Sequence, residues 1–152
     1  MSNSLVAYNN ADSAYEYKVI EPVVGGAGPD ATQIRKAYWN ETGGTIAVNT
    51  LVTHSAGTAQ GVGNSIAATA ASANGAKVGV LTEATLDDNW GTVVVKGQVK
   101  VSATGTPSVG DLVTVSSGAT GSVMTATVGT HYVIGHALTT KDSDGNVVIE
   151  LY

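Results

Sequence analysis

The residues of this chain best suited to chemistry are three histidines, His54, His131 and His136, and two acidic runs. These runs are Asp87-Asp88-Asn89 and Asp142-Ser143-Asp144-Gly145-Asn146. On a regular strand, the odd spacing between His131 and His136 turns them to opposite faces, so the pair does not compose a metal site with the scattered carboxylates. Asp142, Asp144 and Asn146 resemble the opening of a calcium loop, but the sequence reaches Tyr152 without the bidentate Glu expected six residues after Gly145. The same residues suit a tight hairpin turn, in which Asp-Gly supplies positive φ angles, and this is the reading adopted. "QGVGNS" at 60–65 has two glycines of a phosphate loop but lacks the third, and it lacks the Lys-Ser/Thr of a Walker motif. Hydroxyls abound, yet a serine nucleophile needs a base and an orienting acid beside it, and no such constellation is visible. With no cysteine, thiol nucleophiles, disulfides and thiolate zinc sites are excluded. Neither an enzyme, a cofactor nor a metal is expected. Trp90 stands beside the Asp87-Asp88-Asn89 turn. It either stacks on a sugar or covers the end of a small core, and the second reading is preferred.

The elements that position these residues are strands. Val, Thr and 19 glycines dominate a chain of 152 residues without Phe. β-branched residues fit a pleated surface, and frequent glycines mark turns, so the expectation is an all-β domain of short strands. "TIAVNTLVTHS" from Thr45 corresponds to "TPSVGDLVTVSS" from Thr106, matching Val48, Leu51, Val52 and Thr53 to Val109, Leu112, Val113 and Thr114. Val78-Gly79 corresponds to Ile134-Gly135, and the valine-rich run after Gly91 to that after Gly145. The acidic turns occupy equivalent places, which favours a shared turn over an ion site. We read two similar β units, 43–103 and 104–152, within a 34–152 domain. One unit cannot bury its apolar face alone, whereas two packed together close a small barrel or sandwich. "DATQIRKAYW" suits either a short helix capped by Asp30 or a strand from Ile34 to Trp39. Residues 55–76 are low in complexity and suit either a weak helix over Ala67–Ala73 or a long surface loop.

Residues 1–33 differ in composition and read as an extended N-terminal arm, with "EYKVIEPVVGG" as a candidate edge strand because Pro22 cannot donate to a ladder. The arm carries Leu5, Val6, Tyr8, Tyr15, Tyr17, Val19 and Ile20. Three tyrosines are unusual for a disordered tail, so these residues are the candidate docking surface. The arm is expected to be largely unstructured alone and to order on a larger assembly or a neighbouring subunit.

The net charge of −5 comes with seven Lys and Arg spread along the sequence. That excludes the cationic footprint of a nucleic-acid binder. No stretch approaches the ~18 apolar residues of a membrane span, and "MSNSLVAYNNADSAYEYK" lacks the basic start and apolar run of a signal peptide. Synthesis in the cytoplasm, without export by the usual route, is expected.

The second unit, "VGDLVTVSSGATGSVMTATVGTHYVIGHALTTKDSDGNVVIELY", resembles the C-terminal half of the capsid decoration, or cement, proteins of tailed bacteriophages. The matching features are Gly110-Asp111, Thr125-Ala126-Thr127, Ile134-Gly135-His136-Ala137, Asp142–Gly145 and the final alternating strand Val147–Leu151. "GTVVVKGQVKVSATG" resembles the strand that leads into that half. The resemblance covers roughly residues 43–152. It implies a structural virion protein on the outer capsid surface, partnered by the major capsid protein, forming a homotrimer and clamping neighbouring capsomers. The alternative is a carbohydrate-binding or adhesion-type β-sandwich module, with Trp39, Trp90 and Tyr132 as its aromatic contributors.

Overall fold

The computed structural model describes residues 5–7, 16–21, 31–72 and 76–152, with side chains from Gln33 onward. The described residues form strands and connecting turns, with no helix. In chain order the strands are β1 (Leu5–Ala7), β2 (Glu16–Glu21), β3 (Ala31–Asn40), β4 (Leu51–His54), β5 (Ser65–Ala68), β6 (Gly79–Leu81) and β7 (Asn89–Ser102). They continue with β8 (Leu112–Val115), β9 (Val123–Thr125), β10 (Gly135–Ala137) and β11 (Asn146–Leu151). The expected all-β barrel architecture is what the chain adopts.

The pairing closes two small rings on one shared strand. The first runs β3-β5-β4-β6-β7 and closes because β3 also pairs with β7. The second continues β7-β11-β10-β8-β9 and closes through a parallel bridge between Ala103, just past β7, and Val123. β7 makes this possible by its 14-residue length. Its first half pairs with β3 and β6, and its second half, Gly97–Ser102, pairs with β11. The second ring repeats the pairing of the first. Val52 opposes Gly79 as Val113 opposes Gly135, and Leu81 opposes Val93 as Ala137 opposes Ile149. The Val-Gly pairs have a steric cause. A Cβ on Gly79 would lie 2.2 Å from the carbonyl oxygen of Val94, and one on Gly135 would lie 2.3 Å from that of Glu150. Only glycine lets the third strand of each unit approach the last so closely.

Strand alternation sorts the core. Val52, Ile66, Leu81 and Val93, all fully buried, fill the first ring with Tyr38 and Ile46. Their neighbours Leu51, Val80 and Val94 turn away from that interior and pack with Val101, Val113, Val123, Ile149 and Leu151 of the second unit. Each such side chain contributes roughly 1.5–3 kcal/mol of gross burial; one cluster fills the first ring, and the other draws on both units and joins them. Backbone bonds sew the seam: Ser102 N–H donates to Asn49 O (2.9 Å), Leu51 N–H to Gly121 O (2.8 Å) and Gly121 N–H to Thr69 O (2.8 Å).

Two ambiguous segments are decided by these partners. Residues 31–40 are a strand rather than a helix, because their backbone pairs with β2, β5 and β7. The weak helix considered over 67–73 is not formed at its start, since Ala67 and Ala68 pair with Thr53 and Val52 and Thr69 bonds Leu51. Residues 73–75 lie outside the described residues. The "EYKVIE" segment is a strand as its sequence suggests, but it is not the expected edge, because β2 pairs with β1 on one side and β3 on the other.

Candidate functional site

The chemistry-capable residues are kept apart. His54 packs edge-on against Tyr38, with ring centroids 5.6 Å apart. His131 Nδ1 accepts the Thr127 N–H at 2.9 Å. His136 Nδ1 lies 2.8 Å from the Tyr152 hydroxyl. No group of three His, Cys, Asp or Glu suited to a metal occurs among the described residues.

The "KDSDGN" segment is a turn whose first carboxylate is consumed locally. Asp142 Oδ1 accepts the N–H groups of Asp144 (3.0 Å) and Asn146 (2.8 Å), while Oδ2 pairs with Lys100 Nζ at 2.7 Å. The Lys100 hydrogen bond, helped by the Asn146 amide, holds the Asp142 carboxyl below its ordinary range, and the same pair raises the Lys100 ammonium. Gly145 takes φ 86°, and in the matching turn Asp88 takes φ 55°, a conformation Asp tolerates better than most residues.

The two tryptophans meet across β3 and β7, where Trp39 opposes Trp90. Their rings are 5.5 Å apart at 71°, an edge-to-face contact. Tyr38 and Gly91 turn inward, so both indoles lie on the outer face and Trp90 remains 37% exposed. Trp90 therefore does not plug the end of the core. Tyr132 stands 69% exposed in another loop.

The arm residues are gathered by backbone pairing. Leu5 and Val6 belong to β1, and Tyr17, Val19 and Ile20 to β2. Leu5 opposes Val19, which opposes Gln33, and Tyr17 opposes Arg35. Tyr8 and Tyr15 lie outside the described residues. The same pairing brings Lys18 and Lys96, distant in sequence, to either side of Ile34. Lys18 opposes Ile34, Ile34 opposes Lys96, and Arg35 and Lys36 follow on β3.

Next to this row, at the junction of the rings, lies an open groove of about 380 Å³. Gln33, Asn49, Thr82, Gln98 and Lys100 line it together with Val99 and Val148. Arg35 stands at its rim, donating from Nε to Gln33 Oε1 at 2.8 Å. Sequence reasoning missed this surface because its residues come from five separated segments.

No family model and no curated protein matches the chain. Among solved structures, the fold is similar to the crystal structure of the N base of head fiber gp8.5 in bacteriophage phi29. The TM-score is 0.58 at 15% identity, covering 79% of this chain and 94% of that one. This chain shares its fold with the base of a phage head fiber. At such identity the likeness establishes architecture, and nearly the whole length of that base is involved.

Proposed function

We propose that this protein is a non-enzymatic structural component of a tailed-phage virion that sits on the outer surface of the assembled head. The observation that carries this reading is the likeness to a head fiber base over 94% of its length. The cement-like pattern of the second unit supports it, as does the separation of the histidines and carboxylates into structural roles. The shell's major capsid protein is the partner, and the role is to clamp neighbouring capsomers. The arm supplies the docking surface through Leu5, Val6, Tyr8, Tyr15, Tyr17, Val19 and Ile20. A homotrimer makes weak arms sufficient. Ordering the backbone costs about 1–2 kcal/mol per residue and offsets most of what one arm gains by burial, whereas three linked arms bind with avidity.

The test is made on purified particles of the phage that encodes this chain. Antibody labelling should place the protein on heads, at a copy number that is a fixed fraction of the major capsid protein. A variant lacking residues 1–30 keeps β3 and both rings, and it should no longer add to heads. Labelling confined to tails, or to unassembled protein, would sink the reading.

A second reading, a saccharide-binding module, draws on the exposed Trp90 face against Trp39. Polysaccharide pull-down with Trp90→Ala as the control distinguishes it.

A further inference from the structure

The junction groove holds polar side chains that the fold itself does not use. Gln33 is spent on the wall, where its Nε2 donates to Gln98 O and its Oε1 accepts from Arg35 Nε. The side-chain amides of Asn49 and Gln98 also line the groove, and neither has a hydrogen-bond partner among the described residues. Thr82 Oγ1 donates to Thr92 O at 3.2 Å and keeps its acceptor lone pairs.

This polarity is not a by-product of the repeat. Asn49 N–H donates to Leu81 O as Gly110 N–H donates to Ala137 O, and Thr82 N–H donates to Thr92 O as Leu138 N–H donates to Val148 O. Asn49 thus matches Gly110, and Thr82 matches Leu138. Both turns take a left-handed residue, with φ 63° at Asn49 and φ 90° at Gly110. Glycine adopts that conformation without steric cost, and the second unit uses it. The first unit carries an amide there instead, and a hydroxyl where the second has an apolar side chain.

The groove continues toward the tryptophan pair. Gly91 and Val93 point into the first ring, so Thr92 and Trp90 share the outer face of β7. Trp90 stands about 7 Å along the strand from Thr92, whose partner Thr82 is part of the groove wall. The charges at the margins balance. Arg35 and Lys100 are offset by Asp142, paired with Lys100 at 2.7 Å, and by Glu83, whose Oε1 accepts Thr92 N–H at 3.3 Å.

We infer that the groove and Trp90 together form an extended site for a neutral saccharide. One sugar ring stacks its apolar face on the Trp90 indole, and hydroxyls of the following rings bond Asn49, Thr82 and Gln98. The chemistry selects this class of ligand. A carboxamide donates and accepts at once, as neighbouring sugar hydroxyls do. An exposed indole offers a flat apolar face, and balanced marginal charges favour no ion. A peptide strand fits less well, because it needs a free sheet edge, whereas β7 pairs with β6 and β11 along this stretch. The inference rests on the saccharide-binding reading above and leaves the virion role untouched.

The test is affinity electrophoresis of the full chain in dextran, mannan and galactan, followed by titration with the saccharide that retards it. Polygalacturonate is the anionic arm and a neutral Ser/Thr-rich peptide the peptide arm. At least one neutral polysaccharide should bind, equally well in about 0.1 M and about 1 M NaCl, since no ionic contact is there to be screened. Asn49→Gly preserves the turn, as Gly110 does in the second unit. It should leave Tm nearly unchanged and weaken binding about tenfold, and Gln98→Ala should do the same. Trp90→Ala should weaken binding by about tenfold to a hundredfold. A loss with Trp90→Ala but with neither Asn49→Gly nor Gln98→Ala would overturn the groove site and leave the saccharide reading standing on the tryptophans. Binding to none of the neutral polysaccharides, or only to the polyanion or the peptide, would overturn both and leave the virion role standing.

Discussion

Replacing Gly135 by Ala should be among the most damaging single changes in the protein, although it adds one methyl group. The new Cβ would lie 2.3 Å from the carbonyl oxygen of Glu150 and 3.4 Å from the Cα of Leu151. Non-bonded heavy atoms prefer about 3.5–4.0 Å, so β10 and β11 would have to part by about 1 Å. That stretches the ladder pairing Gly135 with Leu151 and His136 with Glu150. Losing one or two such bonds costs about 0.5–1.5 kcal/mol each, and forcing atoms into a packed region costs about 1–3 kcal/mol. The smaller entropy of the unfolded alanine chain returns only about 0.4–1 kcal/mol. The net loss is about 2–4 kcal/mol, or roughly 5–15 °C in Tm for a domain of this size. Thermal unfolding followed by circular dichroism reads it directly. Gly118→Ala is the internal control. Its Cβ would meet nothing nearer than Ser116 Oγ at 3.8 Å, so it should be neutral or slightly stabilising. A Gly135→Ala protein that melts with the Gly118→Ala control would refute the claim that the Val-Gly and Ile-Gly pairs exist to admit a neighbouring carbonyl.

Val52→Ala and Val113→Ala remove fully buried side chains at matching places in the two rings. Each should cost about 1–3 kcal/mol in urea unfolding, and a loss at only one of them would argue against equivalent cores. Calcium should leave Tm unchanged, because Asp142 spends its oxygens on Asp144, Asn146 and Lys100. A site filled at a hundred times its Kd would add about 2.7 kcal/mol, so a calcium-dependent rise abolished by Asp144→Ala would contradict the turn. The Asp142 carboxyl titrates below its ordinary value in the folded protein. Its stabilising contribution is therefore present above the unfolded pKa and fades as pH falls through the lower folded value. Asp142→Asn should accordingly be less stable than wild type at neutral pH and converge with it below the carboxylate range, and a gap that persists at low pH would exclude this charge as its source.

What the sequence determined by itself was what short-range physics controls. The Asp142–Asn146 turn could be read because its bonds run two and four residues along the chain. The strands β4 and β8 could be read because Leu-Val-Thr recurs at matching places in the two units, and β6 and β10 because an apolar residue beside Gly79 and Gly135 marks a close approach in each. The all-β class followed from Val, Thr and Gly content. The tertiary structure alone decided where partners lie far apart in the chain. Residues 31–40 suit helix or strand by propensity, and pairing with β2, β5 and β7 selects the strand. Trp90 was expected over the core end, but its face is set by the β3–β7 register, which turns it outward against Trp39. Lys18 and Lys96 are far apart in the sequence, yet the same register sets them on either side of Ile34. Register is a cooperative property of whole ladders, because a one-residue slip exchanges the buried and exposed faces of an entire strand. No local stretch encodes it, and the groove, the Lys18–Ile34–Lys96 row and the closure of two rings on β7 depend on it.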